Sequence, residues 1–226
     1  MPGAKAITSP APQADDTQTL ILLGQIAEDL RTLAWLHAAE RAPAVWLALQ
    51  AAGFPVGLAG VHCQESESLA MTQALVRLRA DHAAAPTTTA DQLAVDFADI
   101  YLTHALRASP FESVWRDEDH LMMQGPTFAV REVYRRHGMV VADRRAMPDD
   151  HLSHELSFVA HLLDGGHRDA ARAFMDQHLM RWLPEFAQRV AQRAATPVYA
   201  ALAVLTLKTC SNLRQTLGGQ AACASR

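Results

Sequence analysis

Apolar residues recur every three or four positions through most of this chain, and this spacing restricts the fold more than any other feature. The first such segment carries Leu20, Leu23, Ile26, Leu30, Leu33 and Trp35. This interval puts apolar side chains on one face of an α-helix. The sequence lacks the alternation of apolar and polar residues that is typical of strands, and it lacks the short turns that join hairpin strands. It therefore predicts an all-α fold with about eight helices in a single globular domain.

Proline, glycine and aspartate residues mark the expected helix ends. Helices are predicted over residues 20–42, 43–52, 66–82, 91–102, 125–137, 152–163, 168–193 and 197–217. Asp91 is expected to cap the fourth helix after a loop at 83–90, and Asp149 or Asp150 to cap the sixth. Pro184 should kink or divide the seventh helix, because proline removes a backbone amide.

Length and composition allow one large folded unit. The 226 residues lie below the size at which a single core stops growing, about 250–300 residues. Half of the residues are apolar and 19% are charged, so the chain can build a core without a cofactor. Residues 1–16 are predicted as a mobile tail and 17–219 as the helical domain. That domain has a possible N-terminal half (17–106) and C-terminal half (120–219), joined by a loop at 107–119.

Several classes of function lack their usual sequence carrier. The formal net charge is −4 and no block of Lys and Arg occurs, so no nucleic-acid partner is expected. The first residues contain no apolar signal region, and the longest apolar run, Val198 to Leu207, is about half of a bilayer span. A cytoplasmic protein without membrane insertion is therefore predicted. P-loop, dinucleotide and nucleophile-elbow motifs are missing, so nucleotide hydrolysis, nicotinamide chemistry and acyl transfer are not expected. Cys63, Cys210 and Cys223 form no CxxC pair, so the cysteines indicate neither a zinc site nor a disulfide framework.

Chemically active side chains are densest in residues 148–158. A helix that starts at Asp150 brings His151, His154 and Glu155 onto one face. In one interpretation these three side chains and a further histidine bind a metal, which makes the chain a helical metalloprotein or metalloenzyme, although the spacing differs from HExxH. In the other, Asp150 caps the helix, and His151 and Glu155 form a surface pair worth about 0.2–0.5 kcal/mol.

A second segment places large apolar side chains, including Phe111 and Trp115, in a loop. Such side chains either fold back on the core or face a partner. The two segments together resemble the TorD/DmsD family of redox-enzyme maturation chaperones. The family signature has an acidic-aromatic helix, a proline loop ending in Glu-Ser-Val-aromatic, a helix running into Tyr-x-x-x-Gly, and Pro-x-Asp-His-hydrophobic-x-x-Glu-Leu-x-Phe. Here these elements are residues 96–102, 110–115, 130–138 and 148–158, and the resemblance extends more weakly over about residues 20–215.

The resemblance implies a TorD-like helical fold and a cytoplasmic chaperone without catalytic residues. Its expected partner is the catalytic subunit of a dimethyl sulfoxide reductase-type molybdoenzyme, a reductase or dehydrogenase that is bound in its apo form through its twin-arginine signal peptide before export. Either a monomer or a domain-swapped homodimer is expected. The positions that match the family's signal-peptide groove are Pro148, Asp150 and His151, with Trp115, Glu112 and Tyr101 as nearby candidates.

A twin-arginine leader combines basic and apolar parts, so its receptor needs carboxylates beside an apolar cleft. The candidate carboxylates are Glu112, Asp117, Glu118, Asp119, Asp149 and Asp150, and the candidate apolar residues are Phe111, Trp115 and Phe158. Arginine would pair with these carboxylates in a bidentate way that lysine cannot reproduce. No resident cofactor is expected. The resemblance permits transient contact of residues 135–136 and 144–145 with the phosphates of molybdopterin guanine dinucleotide or GTP.

Overall fold

The computed structural model describes residues 14–103, 105–142 and 147–221, and it confirms the all-α fold. Ten α-helices lie within those ranges, slightly more than expected. They are α1 (Ala14–Ala38), α2 (Pro43–Ala51), α3 (Ser66–Ala84), α4 (Pro86–Phe97), α5 (Glu112–Arg116), α6 (Gly125–Arg136), α7 (Leu152–Asp164), α8 (Arg168–Gln177), α9 (Leu183–Arg193) and α10 (Pro197–Ala221). A π-helical turn, Ala98–Leu102, continues α4, and a 3₁₀ turn, Leu179–Arg181, lies between α8 and α9.

Two long helices organise the packing. α1 lies along α7, and α10 packs against α3, α8 and α9. The buried faces form one continuous core, which includes Leu30 of α1, Leu75 of α3, Leu156 of α7 and Leu205 of α10. Residues from both possible halves of the domain contribute to this core. Residues 108–113, in the loop between the halves, are themselves buried.

The apolar spacing of α1 predicted most of its buried face. The buried members are Leu23, Ile26, Leu30 and Leu33. Leu20 and Trp35 are exposed, so those two predictions are wrong. Trp35 lies two positions after Leu33, which is about 200° around a helix with 3.6 residues per turn. Arg41 covers its indole instead, with the guanidinium carbon 3.7 Å from the ring centroid.

The predicted loop at 83–90 is helical over most of its length, which corrects the expected start of α4. The helix begins at Pro86. Proline is favoured at this position because the first turn of a helix does not need its amide. Asp91 lies exposed inside α4 and is not its N-cap. Thr89 is buried, and its hydroxyl donates to the carbonyl oxygen of Ala85 at 2.9 Å. Threonine is a weak helix former, so tertiary burial outweighs local propensity here.

Two other helix boundaries bear on the predictions. α1 already begins at Ala14, inside the predicted tail. Residues 1–13 lie outside the described residues. Pro184 divides the long predicted helix as expected: α8 ends at Gln177, and α9 carries this proline in its first turn. None of the helices in the described ranges combines the length and hydropathy needed to span a bilayer.

Candidate functional site

Two segments that are distant in sequence pair through their backbones. We call residues 109–115 and 147–152 together the junction. Phe111 and His151 form an antiparallel bridge at its centre. Backbone hydrogen bonds run from Glu112 N to Asp150 O at 3.1 Å and from Leu152 N to Pro110 O at 2.8 Å. The junction thus joins the start of α5 to the start of α7, and it contains five of the six candidate residues for signal-peptide binding.

Asp150 fixes the start of α5 and does not cap α7, which corrects its predicted role. Its Oδ2 atom accepts a hydrogen bond from Ser113 N at 2.8 Å, and both residues are fully buried. A carboxylate at the first amides of a helix satisfies donors that have no partner inside the helix. Within the part of the chain that the structure describes, Oδ1 of Asp150 has no hydrogen-bond partner. Pro148, two positions earlier, is also buried.

His151 takes the capping role in α7. Its Nδ1 atom accepts from Ser153 N at 3.1 Å, so Nδ1 carries no proton. Burial lowers the pKa of His151 well below its usual value, with smaller contributions from His154 and His37. The imidazole is therefore neutral. His151 and Glu155 are both buried, so the predicted surface pair between them is wrong.

Three carboxyl groups, those of Glu112 and Asp150 in the junction and Glu155 in α7, lie close enough to repel one another. Glu112 accepts from His178, whose Nδ1 lies 3.0 Å from Oε2, and Glu155 accepts from the indole N–H of Trp182 at 3.2 Å. Burial raises the pKa of Glu112 and raises that of Glu155 well above its usual value. Asp150 raises both further by repulsion. Protonation of Glu155 is thus favoured, because a buried charge without a counter-ion is costly.

Arg131 holds the neighbouring Asp149 from α6. Its Nε and Nη2 atoms donate to Asp149 Oδ2 at 2.9 and 2.7 Å. The hydroxyl of Tyr134, one turn later, donates to the backbone carbonyl of Asp149 at 3.1 Å. Two turns of α6 therefore anchor the segment that precedes α7. The sequence pattern gave no signal for Arg131, since its partner lies 18 positions away.

Tyr101 belongs to a buried hydrogen-bond chain beneath the junction. The hydroxyl of Thr206 donates to the carbonyl of Leu202 at 2.9 Å, so its oxygen accepts from His37 Nε2 at 2.9 Å. His37 Nδ1 then accepts from the Tyr101 hydroxyl at 2.5 Å. Burial lowers the pKa of His37 to about 3, which keeps the ring neutral. The ring of Tyr101 lies 6.5 Å from that of His151, between centroids.

Trp115 is the one candidate residue that is partly exposed. Its indole N–H donates to the carbonyl of Ser109 at 2.7 Å. The guanidinium carbon of Arg189 lies 4.6 Å from its ring centroid, and Nη1 of the same arginine donates to the carbonyl of Arg107. Arg189 thus joins α9 to the loop that leads into the junction. The other five candidates are buried.

The candidate carboxylates and apolar residues for leader binding differ in exposure. Of the six candidate carboxylates, the exposed members are Glu118 and Asp119, with Asp117 partly exposed. Phe111 and Phe158 are buried in the protein and present no apolar surface. An open groove of about 480 Å³ does lie between α1 and α7, where its lining includes Trp35, Val141, Met147 and His154. A larger groove, about 650 Å³, lies between α3, α4 and the start of α10, away from the junction.

The three residues of the metal hypothesis do not converge. His151 faces Ser153, and Glu155 faces Trp182. The ring centroids of His151 and His154 are 6.1 Å apart. Among the described residues, no group of three or more His, Cys, Asp or Glu side chains has the arrangement that could hold a metal ion.

Comparison with known proteins gives consistent matches. Residues 64–188, more than half of the chain, match the family model described as nitrate reductase delta subunit. The chain is 35% identical to the chaperone protein TorD of Vibrio cholerae over 128 residues, which cover 51% of this chain and 58% of that protein. It is 29% identical to the Tat proofreading chaperone DmsD of Salmonella typhi over 106 residues (47% of this chain, 52% of that protein). It is 27% identical to the TorD of Shewanella amazonensis over 179 residues, 76% of each chain. The match to the Vibrio cholerae protein thus spans less than two thirds of that protein's length.

Proposed function

Because this chain belongs to the nitrate reductase delta subunit family, together with TorD and DmsD chaperones, we propose that it is a cytoplasmic assembly chaperone. Its client is the catalytic subunit of a dimethyl sulfoxide reductase-type molybdoenzyme. The chaperone binds the apo form and its twin-arginine leader, and it supports cofactor insertion before export. Binding is reversible and involves no covalent chemistry.

One observation carries the proposal: the region that matches the family contains the whole junction. The two motif segments form one unit through a backbone bridge and the hydrogen bond from Ser113 N to Asp150. One relative is by name a Tat proofreading chaperone, and its match to this chain supports a client with a twin-arginine leader.

In this proposal the candidate residues divide by burial into two groups. Trp115 is accessible enough to touch a peptide, and its ring is already ordered by Arg189. Asp150 and His151 act as positioning residues, because their polar atoms are bonded to the starts of α5 and α7. Glu112, Pro148 and Tyr101 are buried beside them and serve the same purpose. An ordered receptor surface lowers the entropic cost of binding a flexible leader.

Transient binding of molybdopterin guanine dinucleotide or GTP stays a prediction from the sequence. Arg135 and Arg136 are both paired with Glu132, at 3.0 and 3.1 Å. Residues 144–145 lie outside the described residues. An exposed arginine pair that already shares a carboxylate does not fit a built phosphate site, and we assign no step to such a group.

Co-expression tests the proposal. An affinity-tagged form of this chain is produced with the catalytic subunit of a molybdenum reductase from the same genome. We expect the tagged chain to recover the precursor that carries its leader. A precursor whose two leader arginines are replaced by lysines is expected in smaller amount, because lysine cannot make bidentate pairs. The mature enzyme should not contain the chain.

Equal recovery of both precursors would count against recognition of the two arginines. Stoichiometric presence of this chain in the mature, exported enzyme would contradict a chaperone and would indicate a structural subunit. Metal analysis of protein purified without chelators tests the metal interpretation. One equivalent of zinc or iron would favour it over the chaperone.

A further inference from the structure

A cluster of apolar side chains is exposed directly after α5. Leu121 is 54% exposed, Met122 37%, Met123 47% and Phe128 53%. Single exposed apolar residues are ordinary on a protein surface, but four within eight positions of the sequence indicate an interaction site. We call residues 117–123 together with Phe128 the methionine patch.

The fold itself holds these side chains outward. His120 and Met123, on either side of Leu121 and Met122, both adopt positive φ, at 53° and 59°. This left-handed conformation costs about 1–2 kcal/mol for a residue with a side chain. Two hydrogen bonds fix the first turn: His120 N donates to Asp117 O at 3.2 Å, and the His120 ring bonds to the carbonyl of Val114 at 2.9 Å. The exposure is therefore a property of an ordered turn.

An acidic run borders the apolar residues. Asp117, Glu118 and Asp119 immediately precede His120, and Asp117 also accepts from the backbone of Asp119 at 3.2 Å. These three are the accessible carboxylates among the six that the sequence grouped for arginine binding. A ligand with adjacent positive charges and an apolar stretch matches this order of charge and hydropathy. Methionine side chains are flexible and polarisable, so they can pack against apolar sequences that differ between ligands.

Two side chains, Arg131 and His120, connect the patch to the junction. The guanidinium carbon of Arg131 lies 5.2 Å from the ring centroid of Phe128, and the same guanidinium makes the two bonds to Asp149. At the other end, the contact of His120 with Val114 ties the patch to α5. A ligand that covers Phe128 would thus shield the Arg131–Asp149 pair from water and strengthen it.

We propose that the methionine patch is the surface that receives the twin-arginine leader. The carboxylates of residues 117–119 pair with its arginines, and Leu121, Met122, Met123 and Phe128 cover its apolar stretch. The buried motif residues act on binding by holding α5 and this turn in place. This inference rests on the proposed function and names the binding surface for it.

Fluorescence anisotropy with a labelled synthetic leader tests the inference. The leader is taken from the molybdenum reductase subunit of the same genome. We expect Met122→Ser with Met123→Ser to weaken binding by about tenfold or more, and Glu118→Gln with Asp119→Asn to weaken it by about threefold to tenfold. The acidic variant should also lose most of the salt dependence of binding, because screened pairs carry that dependence.

Two control variants make the same kinds of substitution at exposed residues outside the patch. Val76→Ser with Val95→Ser changes two apolar residues that are 57% and 60% exposed on α3 and α4. Asp91→Asn with Asp169→Asn neutralises two exposed carboxylates. Both controls should bind the leader within about twofold of wild type. All variants should keep the far-ultraviolet circular dichroism of the wild type, since exposed positions contribute little to stability.

The outcomes separate the two proposals. Leader binding by the wild type with unchanged affinity in the patch variants would overturn the patch and leave the proposed function standing. Absence of binding by the wild type would overturn both. Analytical ultracentrifugation of the same proteins tests whether a second copy of this chain covers the patch instead. If the wild type is a dimer, and Met122→Ser with Met123→Ser makes it a monomer without loss of leader affinity, the patch is a dimer interface and the inference is overturned.

Discussion

Replacing Asp150 by alanine tests whether this carboxylate holds the junction together. Its Oδ2 accepts from Ser113 N at 2.8 Å in a fully buried setting. Alanine leaves that N–H without a partner, and a hydrogen bond to a charged group contributes about 1.5–3 kcal/mol. Relief of the repulsion from Glu112 offsets part of the loss. We expect a free energy of unfolding lower by about 2 kcal/mol and, for a chain of this size, a Tm lower by about 4–8 °C.

Asparagine separates the hydrogen bond from the charge. Asp150→Asn keeps a carbonyl oxygen for Ser113 N and removes the repulsion with Glu112. We therefore expect its unfolding free energy to lie within about 1 kcal/mol of wild type. Asp91→Ala, at an exposed position, serves as a control with an expected change within about 0.5 kcal/mol.

Urea unfolding followed by circular dichroism at neutral pH measures all three variants. An alanine variant as stable as the wild type would refute the role of the Ser113 bond. An asparagine variant as unstable as the alanine variant would show that the negative charge of Asp150 is required, and that a carbonyl oxygen for Ser113 N is not sufficient. Leader affinity measured under conditions where the variants remain folded then reports on the junction and not on unfolding.

Three further predictions concern buried polar groups. The pKa of Glu155 is raised above its unfolded value of 4.5, so its stabilising effect is complete below pH 4.5 and is lost as pH rises. The free energy of unfolding of Glu155→Gln should therefore increase relative to wild type by up to about 1.4 kcal/mol per pH unit above 4.5, measured by urea titration. A difference that does not change with pH would contradict this. Burial lowers the pKa of His37 from 6.5 in the unfolded chain to about 3 in the folded protein, so wild type should lose stability as pH falls from 6.5 towards 3. The free energy of unfolding of His37→Gln should fall less steeply over this pH range. An equal dependence on pH in both proteins would exclude a neutral buried ring. Arg131→Lys replaces the two bonds that Asp149 Oδ2 accepts with at most one, so we expect a loss of about 1–2 kcal/mol in thermal unfolding. A variant with the wild-type Tm would contradict a stabilising role for the second bond.

Local pattern was sufficient for most helices. The buried side chains of α1 repeat at helical intervals, and Pro184 marks the first turn of α9 by a rule that acts within one turn. The start of α4 was not predictable in this way, because Thr89 is helical through burial against other elements. Propensity sums only near neighbours along the chain, so it misses such cases.

The candidate site needed information that local sequence does not hold. Resemblance grouped Asp150 and His151 with Glu112, and the structure does bring these residues together. Their burial was not predictable, because Ser113 lies 37 positions from the carboxylate that it contacts. Met122 and Met123 are adjacent apolar residues beside an acidic run in the sequence. This pattern indicates a binding surface, but it is not part of the family motif.

Isothermal titration of a synthetic twin-arginine leader into the wild-type chain measures whether this protein binds such a leader. The peptide comes from the molybdenum reductase subunit of the same genome, and a second peptide carries lysine at both arginine positions. We expect saturable one-to-one binding with a Kd of about 1–10 μM, and affinity lower by about tenfold for the lysine peptide. Absence of binding heat with either peptide, from protein whose circular dichroism shows a folded helical chain, would contradict it.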